Sequence, residues 1–421
     1  MTYEFEYLMH LFACGARGLT PDPPCRTVDY DRLVRLAGEQ TVLPLVGAAL
    51  SGAPDTCLPE EKRSALLDTA RSMALLNYYR RRQILKLLRD FDKAGIEAVL
   101  LKGYTVAEAY AEPDCRVSSD TDIYVDIRDE KRALKLLREH GCTVVPRSPV
   151  SHHAICEHPR MGYIELHVIL YDEIVEDVWF QKMDGRQYIQ EAYEKHASEE
   201  GAYLALGRTD NLIFLALHMI KHFISGGISL RQMMDIALYY KKYETQIDVK
   251  RFWNTLGSLK YQNLMNAVLG AMVSYCGFSQ DDFAGSAKAD GAAVSALLDD
   301  LETGGWLGVN EKEERQGSKF RYNRAKYMDK ANVYAYWGYM IRRCACCYIR
   351  ASFPSRAALA KKYPCAGRSA WLVPVAWGRQ MLARFRRLLS GKVQTGIVVR
   401  EGRMPCAEND RTELFRLMRM M

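Results

Sequence analysis

No stretch of the sequence stays apolar over the roughly 20 residues that a bilayer-spanning helix needs. The longest apolar runs, such as Leu264 to Phe278, are broken by polar residues including Asn266 and Ser274. No transmembrane helix is therefore expected. The basic start and apolar segment of a secretory leader are also missing, because the chain opens on the acidic Met1-Thr2-Tyr3-Glu4-Phe5-Glu6. A cytoplasmic setting follows as the expectation. No internal repeat is visible, and 29 Gly and 14 Pro in 421 residues are too few for a collagenous or low-complexity chain. The 12 cysteines are scattered, which in a reducing compartment reads as free thiols. Their one cluster, Cys344-Ala345-Cys346-Cys347, lacks the second Cys or His pair that would complete a tetrahedral zinc site.

What is present is a globular composition, 48% hydrophobic and 26% charged. The length exceeds the 250–300 or so residues at which single cores stop growing, so several lobes are expected. The net charge of +7 is unevenly placed: residues 341–421 carry 17 Lys/Arg against 4 Asp/Glu, which leaves the first 340 residues net acidic. Such a basic segment can attract RNA or an anionic membrane. Arg384, Arg386 and Arg387 equally fit the solvated face of a helix, and the interleaved aromatics of a single-strand groove are absent.

Three- and four-residue apolar spacing (Leu66, Ala70, Met73, Leu76; then Ile84, Leu87, Leu88, Phe91) predicts a helical lobe over 1–93, with a loop at Pro21-Asp22-Pro23-Pro24 between its first two helices. From Ile96 the period changes. Ile96 to Leu101 reads as a strand ending at Lys102-Gly103, Val106 to Tyr110 as a helix, Thr121 to Asp126 as a strand and Glu130 to His140 as a helix. Thr143 to Arg147, Ser151 to Glu157 and Tyr163 to Leu170 read as further strands. Helices return over Asn211 to Ile224, Leu230 to Tyr243, Lys250 to Cys276 and Ala292 to Asp299, and Gly304 to Lys319 reads as a loop or hinge. The fold class is α+β: a small mixed-sheet core over 94–185, flanked by all-helical lobes over 1–93 and 186–421.

Residues two apart in a strand share a face, so Asp120 and Asp122 present adjacent carboxylates. That pair repels unless a cation lies between them, and Mg²⁺ favours such oxygens while keeping positions open for a phosphate. Glu165, in Tyr163-Ile164-Glu165-Leu166-His167-Val168, can add a third acid from a neighbouring strand, with His167 beside it on the same face. An Asp-x-Asp pair alone is weak, since surface strands carry such pairs by chance. Its surroundings strengthen it: Gly103 ends a strand where a phosphate can approach bare backbone, the next helix offers amides, and Lys102 and Arg116 add positive charge.

Leu101-Lys102-Gly103, Tyr110, Pro113, Arg116 and Asp120-Thr121-Asp122-Ile123-Tyr124-Val125, followed by Glu165-Leu166-His167, resemble the uncharacterised nucleotidyltransferase family of the polymerase-β-like superfamily. His218 and His222, Leu230-Arg231 and Asp235-Ile236 are similar to its helical segment. Phe353-Pro354-Ser355 and Lys362-Tyr363-Pro364 resemble its C-terminal segment more loosely. The resemblance implies metal-binding and catalytic roles for Asp120, Asp122 and Glu165 with Mg²⁺ or Mn²⁺. It implies nucleotide contacts from Lys102, Gly103, Tyr104, Arg116 and Ser119, although Tyr104 stands where the wider superfamily usually has Ser. The implied reaction moves a nucleoside monophosphate from an NTP to a hydroxyl of a small molecule, protein or RNA and releases pyrophosphate. A nucleotide-binding or scaffold protein without turnover is the alternative.

His218 and His222, one helical turn apart, read as polar packing near the cleft, because Met219 and the lack of a third ligand argue against zinc. Arg231 and Asp235, at the same spacing, read as an ion pair on one helix. These four and His167 are the expected supporting residues. Met418-Arg419-Met420-Met421 reads as a fraying or packed terminal helix.

Overall fold

A computed structural model of the chain describes residues 1–53, 60–145, 153–170, 193–197, 201–304, 370–378 and 411–420. The chain divides into two compact units. One comprises Met1–Asp177, Gln181–Lys319 and Arg411–Met421, and the other Val178–Phe180 with Phe320–Asp410. In the second unit a short 3-10 turn is formed by Ala370–Leu372. The Gly304 to Lys319 hinge beyond its first residue, the Cys344 cluster, Phe353-Pro354-Ser355, Lys362-Tyr363-Pro364 and Arg384, Arg386 and Arg387 lie outside the described residues, as does most of the basic segment. Among the described residues no helix is long and apolar enough to cross a membrane.

The first unit begins with α1 (Tyr3–Arg17), α2 (Tyr30–Glu39), α3 (Leu43–Ser51) and the long α4 (Glu60–Lys93). Gly18, in the left-handed region at φ +68°, closes α1, and the Pro21 to Pro24 run lies in the connection to α2. Along α4 the buried stripe runs through Leu66, Ala70, Asn77, Ile84, Leu87, Leu88 and Phe91. Leu76, expected inside, is 61% exposed. The reason is helical phase: two turns after Ala70 the inward position falls on Asn77.

The α4 stripe and α6 (Glu130–Glu139) cover one face of a seven-stranded mixed sheet. Its strands are β1 (Ala98–Leu101), β2 (Asp120–Val125), β3 (Thr143–Val145), β4 (His153–His158), β5 (Gly162–His167), β6 (Tyr193–His196) and β7 (Tyr203–Leu206), in the order β3-β4-β5-β2-β1-β7-β6. β2 runs antiparallel to β1 and parallel to β5. Ile123, Val125, Ile164, Leu166, Ala154 and Cys156 point into the core beneath, with Ile84, Leu88, Phe91, Leu134 and Leu137. Alternation then sends Asp120, Asp122, Glu165 and His167 to the opposite face. The sheet extends past residue 185, the expected end of the core. β6 is mostly polar and β7 is only four residues, Tyr203-Leu204-Ala205-Leu206, so neither has a strand signature of its own; pairing of β7 with β1 and of β6 with β7 makes them strands.

Five helices follow: α7 (Arg208–Ser225), α8 (Leu230–Lys242), α9 (Val249–Ser258), α10 (Gln262–Tyr275) and α11 (Gly291–Gly304). The single helix expected over Lys250 to Cys276 is two helices, broken where Lys260 takes φ +63°. The buried Gln40 side chain ties the N-terminal helices to the later ones, donating to the Leu301 carbonyl at 2.9 Å and accepting from the Leu230 amide at 3.0 Å. At the end of the chain α12 (Thr412–Leu417) packs: Phe415 and Met418 are fully buried, and Arg411 pairs with Asp300 at 2.8 Å.

Candidate active site

The sheet register assembles the acids. Asp122 lies opposite Glu165 on one side and Leu101 on the other, so the residue after Leu101 sits at the edge of the acidic face. There the chain turns sharply, with Lys102 at φ +34° and Gly103 at φ +37°. A left-handed lysine is strained, a conformation held at sites where a side chain must be aimed. The Lys102 ammonium lies 3.0 Å from Asp122 and 3.7 Å from Asp120. One oxygen from each of Asp120, Asp122 and Glu165 falls within 4.8 Å of the other two.

The charges are held in place electrostatically. Burial would raise the Asp122 carboxyl, but Lys102 and then the hydrogen-bonded His167 outweigh it and leave it below its usual range. Burial pushes Glu165 the same way, yet the His167 hydrogen bond, His153 and Lys102 bring it down to about 2. Lys102 and His167 both move up: burial would lower them, and the carboxylates outweigh it. His167 Nε2 is 2.9 Å from Asp122 Oδ1 and 3.4 Å from Glu165 Oε2. The three acids thus form an all-oxygen donor set converging on a point that already favours a positive charge. That is the chemistry a hard divalent cation such as Mg²⁺ requires.

A cleft of about 260 Å³ opens over this cluster, bounded by Lys102, Gly103, Ser119, Asp120 and Glu165 on the sheet side and by α7 and α8 on the other. Ser118 and Ser119 hydroxyls each donate to Asp120 Oδ1 at 3.2 Å. His218 and His222, on α7, line the cleft. His218 Nε2 accepts from the Lys102 ammonium at 3.0 Å and lies 3.1 Å from His222 Nε2. Burial and then Lys102 push both imidazoles down, His218 well below its usual value and His222 to about 4, so both are neutral at pH 7.

Three expectations are corrected by the geometry. Arg231 and Asp235 do not pair. Asp235 is bound by Arg116, at 3.0 Å through Nε and 2.5 Å through a terminal nitrogen, and it accepts from the Tyr110 hydroxyl at 2.7 Å. Arg231 instead donates to the Val117 carbonyl at 2.9 Å, because α8 faces the loop before β2 rather than solvent. Arg116 therefore borders the cleft with two nitrogens committed to Asp235. Tyr104 does not enter the cleft at all: it is buried in the core beneath the sheet, which pushes its hydroxyl up to about 12. The helix expected over Val106 to Tyr110 is the single turn α5 (Tyr104–Ala107), whose Thr105 and Ala107 amides are already bonded to the Lys102 and Gly103 carbonyls.

Some residues that shape the site carry little sign of it in the sequence. The Asn77 amide donates to the carbonyls of Asp114 and Arg116, and Arg80 to that of Ser118, so α4 fixes the loop leading into β2. An Asn two turns after Ala70 on an apolar stripe is the available signal. Ser118 bears no comparable mark; His153 is one of several histidines clustered around the strands, and only strand pairing brings it opposite His167.

A family model described as an uncharacterised nucleotidyltransferase matches residues 26–275. No curated protein and no solved structure matches the chain.

Proposed function

The chain belongs to the uncharacterised nucleotidyltransferase family, and from that premise we propose that it transfers a nucleoside monophosphate from an NTP to a hydroxyl acceptor, releasing pyrophosphate. The observation that carries this reading is the convergence of Asp120, Asp122 and Glu165 within 4.8 Å around the Lys102 ammonium. Carboxylates held this close together, one of them buried, are costly, and a protein that only bound a nucleotide or served as a scaffold would gain little from them.

Asp120, Asp122 and Glu165 would hold one or two Mg²⁺ or Mn²⁺ ions. Bound there, such ions would supply charge neutralisation for triphosphate oxygens and would make an acceptor hydroxyl more acidic. The protein's own groups do the positioning. Ser118 and Ser119 fix the rotamer of Asp120, and His167 that of Asp122. Gly103 leaves room for phosphate oxygens beside Lys102, whose charge offsets theirs. His218, being neutral, accepts from the ammonium without repelling it, and His222 stands behind His218. Lys102 bridges two of the acids and also donates to His218, so its charge stays at the edge of the acidic face where triphosphate oxygens would lie. The acceptor is a small molecule, a protein or RNA, and the setting is cytoplasmic, which suits the free buried thiols of Cys14, Cys142, Cys156 and Cys276.

The test is incubation of the purified chain with each labelled NTP, Mg²⁺ or Mn²⁺ and candidate acceptors, beside Asp122→Ala. Transfer is expected to fall at least 10²-fold in the variant, the scale on which removal of one charge-stabilising group acts. Label transfer that persists in Asp122→Ala would refute the site.

A further inference from the structure

Two imidazoles border the acidic cluster. His153 on β4 lies directly opposite His167 on β5, and Glu165 is two residues before His167, so the three side chains share the polar face of the sheet. One donor atom from each lies within 4.8 Å of the other two. A single carboxylate oxygen, Glu165 Oε2, is 3.4 Å from His167 Nε2 and 3.8 Å from His153 Nδ1. Ligand atoms bound tetrahedrally at zinc distances lie roughly 3.3–3.5 Å apart, so only small side-chain movements separate this arrangement from a coordination shell. The His153 side chain is 18% exposed, which gives an ion a path in from solvent.

We propose that His153, Glu165 and His167 form a second metal site, selective for a borderline divalent cation such as Zn²⁺. Two imidazole nitrogens and one carboxylate suit zinc or cobalt, whereas Mg²⁺ takes oxygen ligands almost exclusively. The site is chemically distinct from the all-oxygen set of Asp120, Asp122 and Glu165, yet Glu165 belongs to both. A cation on the histidines would engage Glu165 Oε2 and would displace the 2.9 Å contact between His167 Nε2 and Asp122 Oδ1, which loosens the acidic set. Occupancy of the nitrogen site and of the complete acidic set are therefore mutually opposed, which makes the nitrogen site inhibitory.

Cobalt reports on such a site without any turnover. The full chain, stripped with a chelator and free of nucleotide, is titrated with Co²⁺ and followed by visible absorption. One equivalent should bind with weak d–d bands and without the near-ultraviolet charge-transfer band of cysteine thiolates. His153→Ala should weaken binding at least tenfold, since loss of even an outer ligand partner costs 10- to 100-fold. Asp120→Asn, which lies outside the nitrogen set, should bind as the wild type does. His153→Gln is titrated in parallel, and the comparison with wild type uses whichever of the two His153 variants keeps the wild-type circular dichroism. Unchanged affinity in that variant, a thiolate band, or equal loss in Asp120→Asn overturns the proposal. None of these outcomes depends on label transfer in Mg²⁺, so failure here and failure of the transferase reading are told apart.

Discussion

Replacing Asp235 with Ala tests how the helical wall of the cleft is locked to the approach to β2. The side chains of Asp235 and Arg116 are each only 5% exposed, and both guanidinium contacts and the Tyr110 hydroxyl converge on one carboxylate. Burial would lower the Arg116 guanidinium, yet Asp235 more than compensates and raises it. Without that carboxylate Arg116 is a buried, uncompensated cation, and the buried Arg231 lies close enough to repel it. Burial and then Arg116 already press on Arg231 from the other side, lowering it. Removing one member of a buried pair typically costs about 3–5 kcal/mol, because the partner's lost solvation is no longer offset. Urea unfolding of Asp235→Ala should show a loss on that scale.

The pair itself is a different quantity from the damage done by halving it. Arg116→Met combined with Asp235→Leu removes both desolvation costs, so the double variant should recover most of the stability. A loss below about 1 kcal/mol in Asp235→Ala would mean that the pair is effectively solvated. A double variant no better than the single one would mean that shape, and not charge, is what the site needs. Either result would refute the electrostatic account of this wall.

The sequence made the sheet-borne chemistry legible because local signals and geometry coincide there. A two-residue repeat fixes the shared face of Asp120 and Asp122, and Lys102-Gly103 marks the end of β1 without any tertiary knowledge. That Glu165 meets Asp122 depends on parallel register between strands about forty residues apart, which no local pattern encodes. The Arg231 and Asp235 spacing misled for the opposite reason. One-turn spacing makes a pair available on an isolated helix, but a buried face lets a stronger partner from the β2 approach, Arg116, claim the carboxylate. Tyr104 and β7 share this lesson: burial decided both, in one case taking a candidate ligand into the core and in the other making a strand of a short Leu/Ala run.

Two further outcomes follow from the charges. Lys102→Met removes the cation that bridges Asp122 and Asp120, so it should destabilise the metal-free protein by about 3 kcal/mol. Mg²⁺ should then raise its melting temperature more than it raises the wild type's, because the ion supplies the missing charge; equal shifts in a thermal melt would count against Lys102 sharing the ion's position. The cleft histidines set the response to acid. His222 titrates near 4 in the folded chain and near its ordinary 6.5 when unfolded, so between those values the unfolded state binds the extra proton. Its contribution is complete above about pH 6.5 and is lost as the pH falls toward 4, reaching roughly 3 kcal/mol for His222 alone. His218 acts in the same direction. Other histidines titrate in this window, His167 with the opposite sign because its folded value is raised, so the comparison that isolates His222 is wild type against His222→Asn. Above pH 6.5 the difference between the two stability curves should be constant, and from pH 6.5 to 4.5 the wild type should lose its advantage. Parallel curves through that range would mean that His222 takes up a proton as readily in the cleft as in water, and that the ammonium of Lys102 does not face neutral imidazoles.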